Sequence, residues 1–344
     1  MKRGVRALLS LSFTLLLLYL FLRGVDLEGV WRETRSARPA WLAVCLAGAV
    51  LHYSLRAARW RTLLSPAGRP VSFRLALSCT LIGYFLSAVL PGRPGELVRP
   101  VLLAARSGIR RSFALATILI ERAILDPLTL LALLIVALLI RGRAGDISPA
   151  SHHLRQRVWA SSGLAASLVA ILLLGAIWAL TRRQRLIGWL RRLARSGPRR
   201  GRIVDAVERF AEALAVLGSS GVWPRAILGS LLTWSAVALG LWGGVCAFQA
   251  DIGYLDALVL SAMAAVGVAV PTPGGVGGFH LAVQIGLTTL YGVPAERAVP
   301  AALFTHLLLL LPALVLGSVL AWREGLDISS LWNRGGQWDP GRQG

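Results

Sequence analysis

Apolar residues run along this chain in long blocks, not in the short alternations of a soluble sheet protein. The blocks span Ala7–Leu22, Ala40–Leu55, Leu75–Leu90, Phe113–Ile140, Val158–Leu180, Ala226–Phe248, Leu255–Val270, Phe279–Tyr291 and Val299–Ala321. A helix needs about 20 largely apolar residues to cross a bilayer. The pattern therefore predicts an all-α, polytopic helical membrane protein with about six full spans and two re-entrant hairpins. The hairpins are marked by breaks. Pro91-Gly92-Arg93-Pro94-Gly95-Glu96 interrupts one apolar region, and Pro271-Thr272-Pro273-Gly274-Gly275-Val276-Gly277-Gly278 another. Proline and glycine at that density cannot continue a helix. Irregular backbone at membrane depth must be buried in protein or line a cavity, because lipid offers it no hydrogen bonds. The plainer alternative makes both breaks interfacial loops.

Composition agrees with lipid as the main solvent: 56% of residues are hydrophobic, 15% are charged, and mean hydropathy is +0.65. Residues 1–321 read as one transmembrane domain, with 322–344 a short cytoplasmic tail. The net charge of +21 is almost all arginine, Lys2 being the one lysine. Basic residues interleaved with apolar runs fit loops that fix topology and meet anionic headgroups, not a nucleic-acid module. Cys45, Cys79 and Cys246 lie far apart inside apolar segments, so neither a disulfide framework nor a metal site is expected. No cofactor motif is present. The glycine run at 271–278 lacks the Gly-Lys-Ser/Thr ending of a phosphate loop, and no hydrolase or kinase signature occurs.

The positive-inside rule orients the scheme. Residues 181–224 form a basic loop with an amphipathic helix over Ile203–Leu217, placed on the cytoplasmic side together with both termini. Ala7–Leu22 reads as an uncleaved first span, since no small-x-small site follows it. One hairpin, Leu75–Ala104, then enters from the cytoplasmic side and the other, Leu255–Tyr291, from outside. Broken segments at matching places in two halves point to an inverted repeat with a midplane site. Arginines at Arg32, Arg35, Arg38, Arg141, Arg143, Arg155 and Arg157 fall in predicted external loops, against the rule, with Asp26, Glu28, Glu33 and Asp146 as partial compensation.

An ionisable group near a span centre costs about 2.5–3.5 kcal/mol on insertion scales. Block Phe113–Ile140 nonetheless holds Glu121, Arg122 and Asp126. Arg122 and Asp126, four apart, share a helix face and can pair. Glu121 points about 100° away and needs a partner from elsewhere; Arg93 and Arg99 are the natural candidates. With Glu96 these groups balance in charge, and Arg56 and Arg59 would add a cationic surplus suited to phosphate. Those two can also simply snorkel to the interface. The whole set is either a buried network that orients helices or a polar cavity that contacts a charged headgroup. His280 follows the glycine run and is the third candidate acid–base group beside Glu96 and Glu121; His52 and His306 carry no separate expectation. Tryptophans and tyrosines near span ends read as an interfacial belt.

Four stretches together resemble the flippase-like family named after the membrane domain of lysylphosphatidylglycerol synthase. They are Leu55-Arg56-Ala57-Ala58-Arg59-Trp60; Gly83 through Leu90-Pro91-Gly92-Arg93-Pro94-Gly95-Glu96; Glu121-Arg122 with Asp126; and Pro271-Thr272-Pro273-Gly274-Gly275-Val276-Gly277. One departure is that Phe279-His280-Leu281 stands where the family often has an acidic residue. The resemblance implies an inner (cytoplasmic) membrane protein whose relatives move aminoacylated phospholipid between leaflets or serve polyprenyl-lipid and glycan pathways. The soluble aminoacyl-transferase domain has no room after Ala321, so the chain is expected to be a translocator and not an enzyme. On that reading Arg93, Arg99, Arg122, Arg56 and Arg59 hold the phosphate of a phospholipid or polyprenyl-linked lipid. Glu96, Glu121 and Asp126 form the charge network. Pro91, Gly92, Pro94, Gly95, Pro271, Pro273, Gly274, Gly275, Gly277 and His280 shape the broken helices. The alternative is a membrane-embedded enzyme, or a scaffold holding a partner enzyme at the basic loop.

Overall fold

The computed structural model describes residues 25–90, 92–143, 221–269 and 272–325, with 12, 15–16 and 18–23. The block Val158–Leu180, the basic loop, its amphipathic helix and most of the tail lie outside the described residues, as do Pro91 and Pro271. Among the described residues every regular element is helical. In chain order these are α1 (Leu27–Arg35), α2 (Pro39–Leu64), α3 (Phe73–Val89), α4 (Gly95–Ser107), α5 (Arg111–Ile120), a π-helical turn (Glu121–Leu125) and α6 (Asp126–Arg143). Then follow α7 (Trp223–Cys246), α8 (Tyr254–Ala269), α9 (Gly278–Ile285), a second π turn (Gly286–Leu290) and α10 (Ala295–Arg323). Pro39–Ala67, Arg111–Ile140, Trp223–Cys246 and Ala295–Arg323 are long and apolar enough to cross a membrane, while α3 and α8 are shorter.

Helix ends follow local chemistry. Asp26 accepts from the Glu28 and Gly29 amides at 3.0 Å and caps α1, and Ser72 caps α3 through the Leu75 amide. These side chains satisfy amides that have no partner within the helix. Gly108, with φ of 67°, ends α4 in the left-handed conformation that glycine adopts without a Cβ clash.

Each short helix folds back on its successor. A Cβ on Gly95 would collide with the Gly83 carbonyl and lie 2.7 Å from Ser87 Oγ, while one on Gly83 would lie 3.0 Å from Arg99 Cβ. So α3 and α4 run antiparallel and cross where both lack side chains. The second hairpin repeats the device. Cβ atoms on Gly267 and Gly278 would each strike the other's carbonyl, and Gly286 faces Leu260 and Met263. Small residues let helices approach closely where lipid supplies no hydrophobic drive for association.

The long helices α2 and α7 also run antiparallel, with Cys45 against Gly243, Gly48 against Gly240 and Arg59 against Gly229. Packing elsewhere is reciprocal. Helix α3 lies on α2 and α10, as α8 lies on α7 and α6. This is the arrangement an inverted repeat produces, and it brings the two hairpins in from opposite ends of the bundle.

Candidate functional site

The hairpin tips meet. Arg93, at φ of 52° beside Gly92 at 78°, donates its guanidinium N–H to the Val268 carbonyl near the end of α8. From the other side Gly274 abuts Ala88, its Cβ position 3.3 Å from the Ala88 carbonyl. The second tip needs its glycines: Gly274, Gly275 and Gly277 have φ of 60°, 75° and 85°, a region most L-residues avoid. A cavity of about 210 Å³ lies between the tips. His52 and Arg56 of α2, Trp234 and Leu241 of α7, and His306 and Leu309 of α10 line it. All of these but Leu241 are near mid-length in their helices, so the irregular backbone sits deep in the bundle and lines a cavity, as irregular backbone at membrane depth must.

Charge is layered around that cavity. Arg56, Arg93, Arg99 and Arg122 line it, with Glu96 as the one carboxylate on the wall among the described residues. Glu121 and Asp126 sit behind the arginines. Glu121 Oε1 lies 2.8 Å from Arg56 Nη1, 2.8 Å from Arg59 Nη2 and 3.4 Å from Arg99 Nη1. Asp126 takes Arg59 Nη1 at 2.8 Å and Arg56 Nη1 at 3.1 Å, with Trp234 Nε1–H donating from 3.3 Å. Arg59 Nη1 also donates to Ser230 Oγ at 2.7 Å. Glu121 is 0%, Arg59 1%, Arg56 2%, Arg99 3% and Asp126 5% exposed. At the half-exposed mouth, Glu96 pairs with Arg122 at 3.0 Å.

Several expectations need amending. Arg122 and Asp126 do pair, at 3.5 Å. Glu121, however, does not point away from Asp126. The π turn hydrogen-bonds the Asp126 amide to the Glu121 carbonyl; this i→i+5 winding sets two residues five apart on a shared face. Its partners are chiefly Arg56 and Arg59, which are buried instead of snorkelling; Arg99 is the more distant partner, and Arg93 serves the Val268 carbonyl. Tyr53, Tyr84 and Trp234 are not belt residues: all three line the cavity. Trp60 lies behind the site, its ring 3.9 Å under the Arg99 guanidinium and its indole N–H donating to Thr117 Oγ1 at 2.9 Å.

His280 is buried and faces His306 across 3.0 Å, Nε2 to Nδ1. The Gly277 amide donates to His280 Nδ1 at 3.4 Å. The Nε2 of neutral His280 therefore carries the proton and donates to His306. His306 in turn stacks on Phe279, with ring centroids 4.4 Å apart. The pair fastens the second tip, and His306, not His280, reaches the cavity wall. Sequence spacing held a signal for His52, which stands one turn before Arg56 on the same face of α2. None pointed to Ser87 or His306.

A model of the lysylphosphatidylglycerol synthase TM region matches residues 7–317. The chain belongs to that family. Family membership and the apolar helices make it a multi-pass membrane protein of a lipid-related class. A curated relative, glycosyltransferase AglD of Haloferax volcanii, is 25% identical over 329 residues, covering 88% of this chain and 52% of the relative. The chain thus spans about half the length of the curated relative it matches. That relative's name corrects the expectation of a non-enzyme drawn from the family resemblance: this TM-region fold also occurs in a protein named for group transfer, so membership of the family does not exclude enzymatic work.

Proposed function

We propose that this TM-region protein is a membrane-embedded component of lipid-linked glycan metabolism that takes a phosphate-bearing lipid headgroup into the cavity between the hairpin tips. The observation that carries the reading is the layering of charge. Four arginines line the cavity against one carboxylate, while Glu121 and Asp126 hold Arg56, Arg99 and Arg122 from behind. An arginine fork matches phosphate oxygens two at a time. Arg99 Nε and Nη2 are buried and have no hydrogen-bond partner among the described residues. Buried donors left so are costly, and a phosphate in the cavity would satisfy them.

The relative's name gives the direction: glycosyl transfer involving such a lipid. In that role Arg56, Arg99 and Arg122 bind the phosphate, and Arg59 holds the acids that orient them. Glu96 is the carboxylate positioned to take a proton from an acceptor hydroxyl, since it stands on the cavity wall, whereas Glu121 is fully buried behind the arginines and His280 does not reach the wall. Translocation is the second reading, favoured by hairpins that reach one cavity from opposite ends, the plan on which alternating access is built. It is tested in vesicles holding labelled lipid, where equal scrambling by wild type and Arg99→Gln removes it.

Binding tests the main reading. Wild-type protein in nanodiscs is expected to bind farnesyl phosphate and not farnesol. A charge-assisted hydrogen bond is worth about 1.5–3 kcal/mol, so Arg99→Gln should weaken farnesyl phosphate binding by about tenfold or more. Equal affinity of wild type and Arg99→Gln for farnesyl phosphate would overturn it.

A further inference from the structure

The cavity holds a second set of unmet polar atoms, distinct from the arginines. His52 Nδ1 and Ser87 Oγ are both buried without a hydrogen-bond partner among the described residues, and both residues line the cavity. His52 itself is 9% exposed. They belong to different helices, α2 and α3, so no single helix end or local turn explains both. Native proteins seldom leave such groups unsatisfied.

Their position relative to the arginines is informative. His52 precedes Arg56 by four residues on α2, one turn along the same face. Ser87 Oγ sits against Gly95, which precedes Arg99 by four residues on α4. The two neutral groups therefore lie about one helical turn, roughly 5.4 Å, toward the first tip from the arginines on both sides of the cavity. Tyr53 and Tyr84 line the space beside them, with rings 4.9 Å and 6.0 Å from His52. The Tyr53 hydroxyl is committed to the Leu309 carbonyl at 3.1 Å, and that of Tyr84 accepts from Arg122 at 3.4 Å. Besides the O–H that Tyr84 keeps to donate, free hydrogen-bonding capacity in this compartment thus rests with His52 and Ser87.

A phosphate oxygen accepts and never donates when ionised, and it is already matched by arginine. A serine hydroxyl both donates and accepts, and a neutral imidazole has one nitrogen for each role. That mixed, uncharged set fits alcohol hydroxyls. Resting on the phosphate reading above, we infer that His52 and Ser87 form a subsite for a hydroxylated group esterified to the bound phosphate, so that the ligand is a phosphodiester carrying a sugar or another polyol. The tyrosine rings beside it suit the C–H face of a pyranose.

The test compares two diesters of equal charge, glucosyl farnesyl phosphate and farnesyl methyl phosphate, on the protein in nanodiscs. A site built to hydrogen-bond hydroxyls rejects an analogue that lacks them, and wild type should prefer the glucosyl ester by about tenfold or more. Ser87→Ala and His52→Phe should each pull that ratio toward one while leaving farnesyl methyl phosphate affinity unchanged within about twofold. Dihexanoyl phosphatidylglycerol separates the two sources of hydroxyls. Loss of its binding in Ser87→Ala supports the subsite and assigns it to glycerol, whereas loss for the glucosyl ester alone assigns it to a sugar. An unchanged ratio in both variants overturns the subsite, and so does a parallel loss for both diesters. Failure of wild type to bind any phosphate ester overturns the headgroup reading itself.

Discussion

The two hairpins solve one backbone problem in the same way and are put to different uses. Each crosses at a glycine pair, Gly83 with Gly95 and Gly267 with Gly278. Each ends in a tip of left-handed backbone, and each half has one π turn, inside the long span Arg111–Ile140 in the first half and at the end of the hairpin in the second. Chemistry is not shared out alike. Arg56, Arg59, Arg93, Glu96, Arg99, Glu121, Arg122 and Asp126 all come from the first half. The second supplies Ser230 and Trp234 as neutral partners and a histidine pair spent on its own tip. A fold repeated by inversion thus behaves as scaffold, and the site is grafted onto one copy of it.

From that asymmetry, the largest single-residue effect on stability is expected at Glu121. Its carboxylate touches three arginines, and removing it strands buried positive charge. Breaking a buried pair by deleting one partner costs about 3–5 kcal/mol. Glu121→Ala is expected to lose that much in detergent unfolding experiments, more than any polar substitution in residues 254–291. A midpoint within error of wild type would mean the charges are solvated, and the layered site would have to be abandoned.

The backbone half of the comparison predicts the opposite, an equality. Gly95→Ala and Gly278→Ala each push a methyl group into a facing carbonyl. Overpacking of this kind costs about 1–3 kcal/mol, and the two losses should agree within about 0.5 kcal/mol if the crossings are equivalent. Damage at one crossing only, read by the same unfolding measurement, would break the equivalence of the hairpins.

What the sequence disclosed divides along the same line. Apolar blocks and proline–glycine breaks identify membrane helices and both hairpins, because lipid forces backbone satisfaction to be local. The charged positions are visible for the related reason that ions in spans are costly enough to stand out. Their partners are not visible. The direction of Glu121 depends on a π turn, one extra residue in the winding that apolar periodicity does not register. The burial of Arg56 and Arg59 depends on α7 lying against α2 through Gly229, more than 160 residues away along the chain. His306 reaches the second tip only because α10 packs there.

The smallest effect belongs to that second tip, where the histidine pair links α9 to α10. A neutral hydrogen bond contributes about 1 kcal/mol net, and leaving one partner buried and unsatisfied costs more than removing both. His306→Phe alone orphans the His280 Nε2 proton, and His280→Phe alone frees the Gly277 amide. Each should therefore cost more than half of the double substitution, with a coupling energy of about 0.5–1.5 kcal/mol in a double-mutant cycle. Because the second half is scaffold, farnesyl phosphate affinity should stay within about twofold of wild type in all three variants. Additive losses would show that the two rings do not bond. A tenfold drop in lipid-phosphate binding would show instead that the second half carries chemistry after all, and the division between the hairpins would fall.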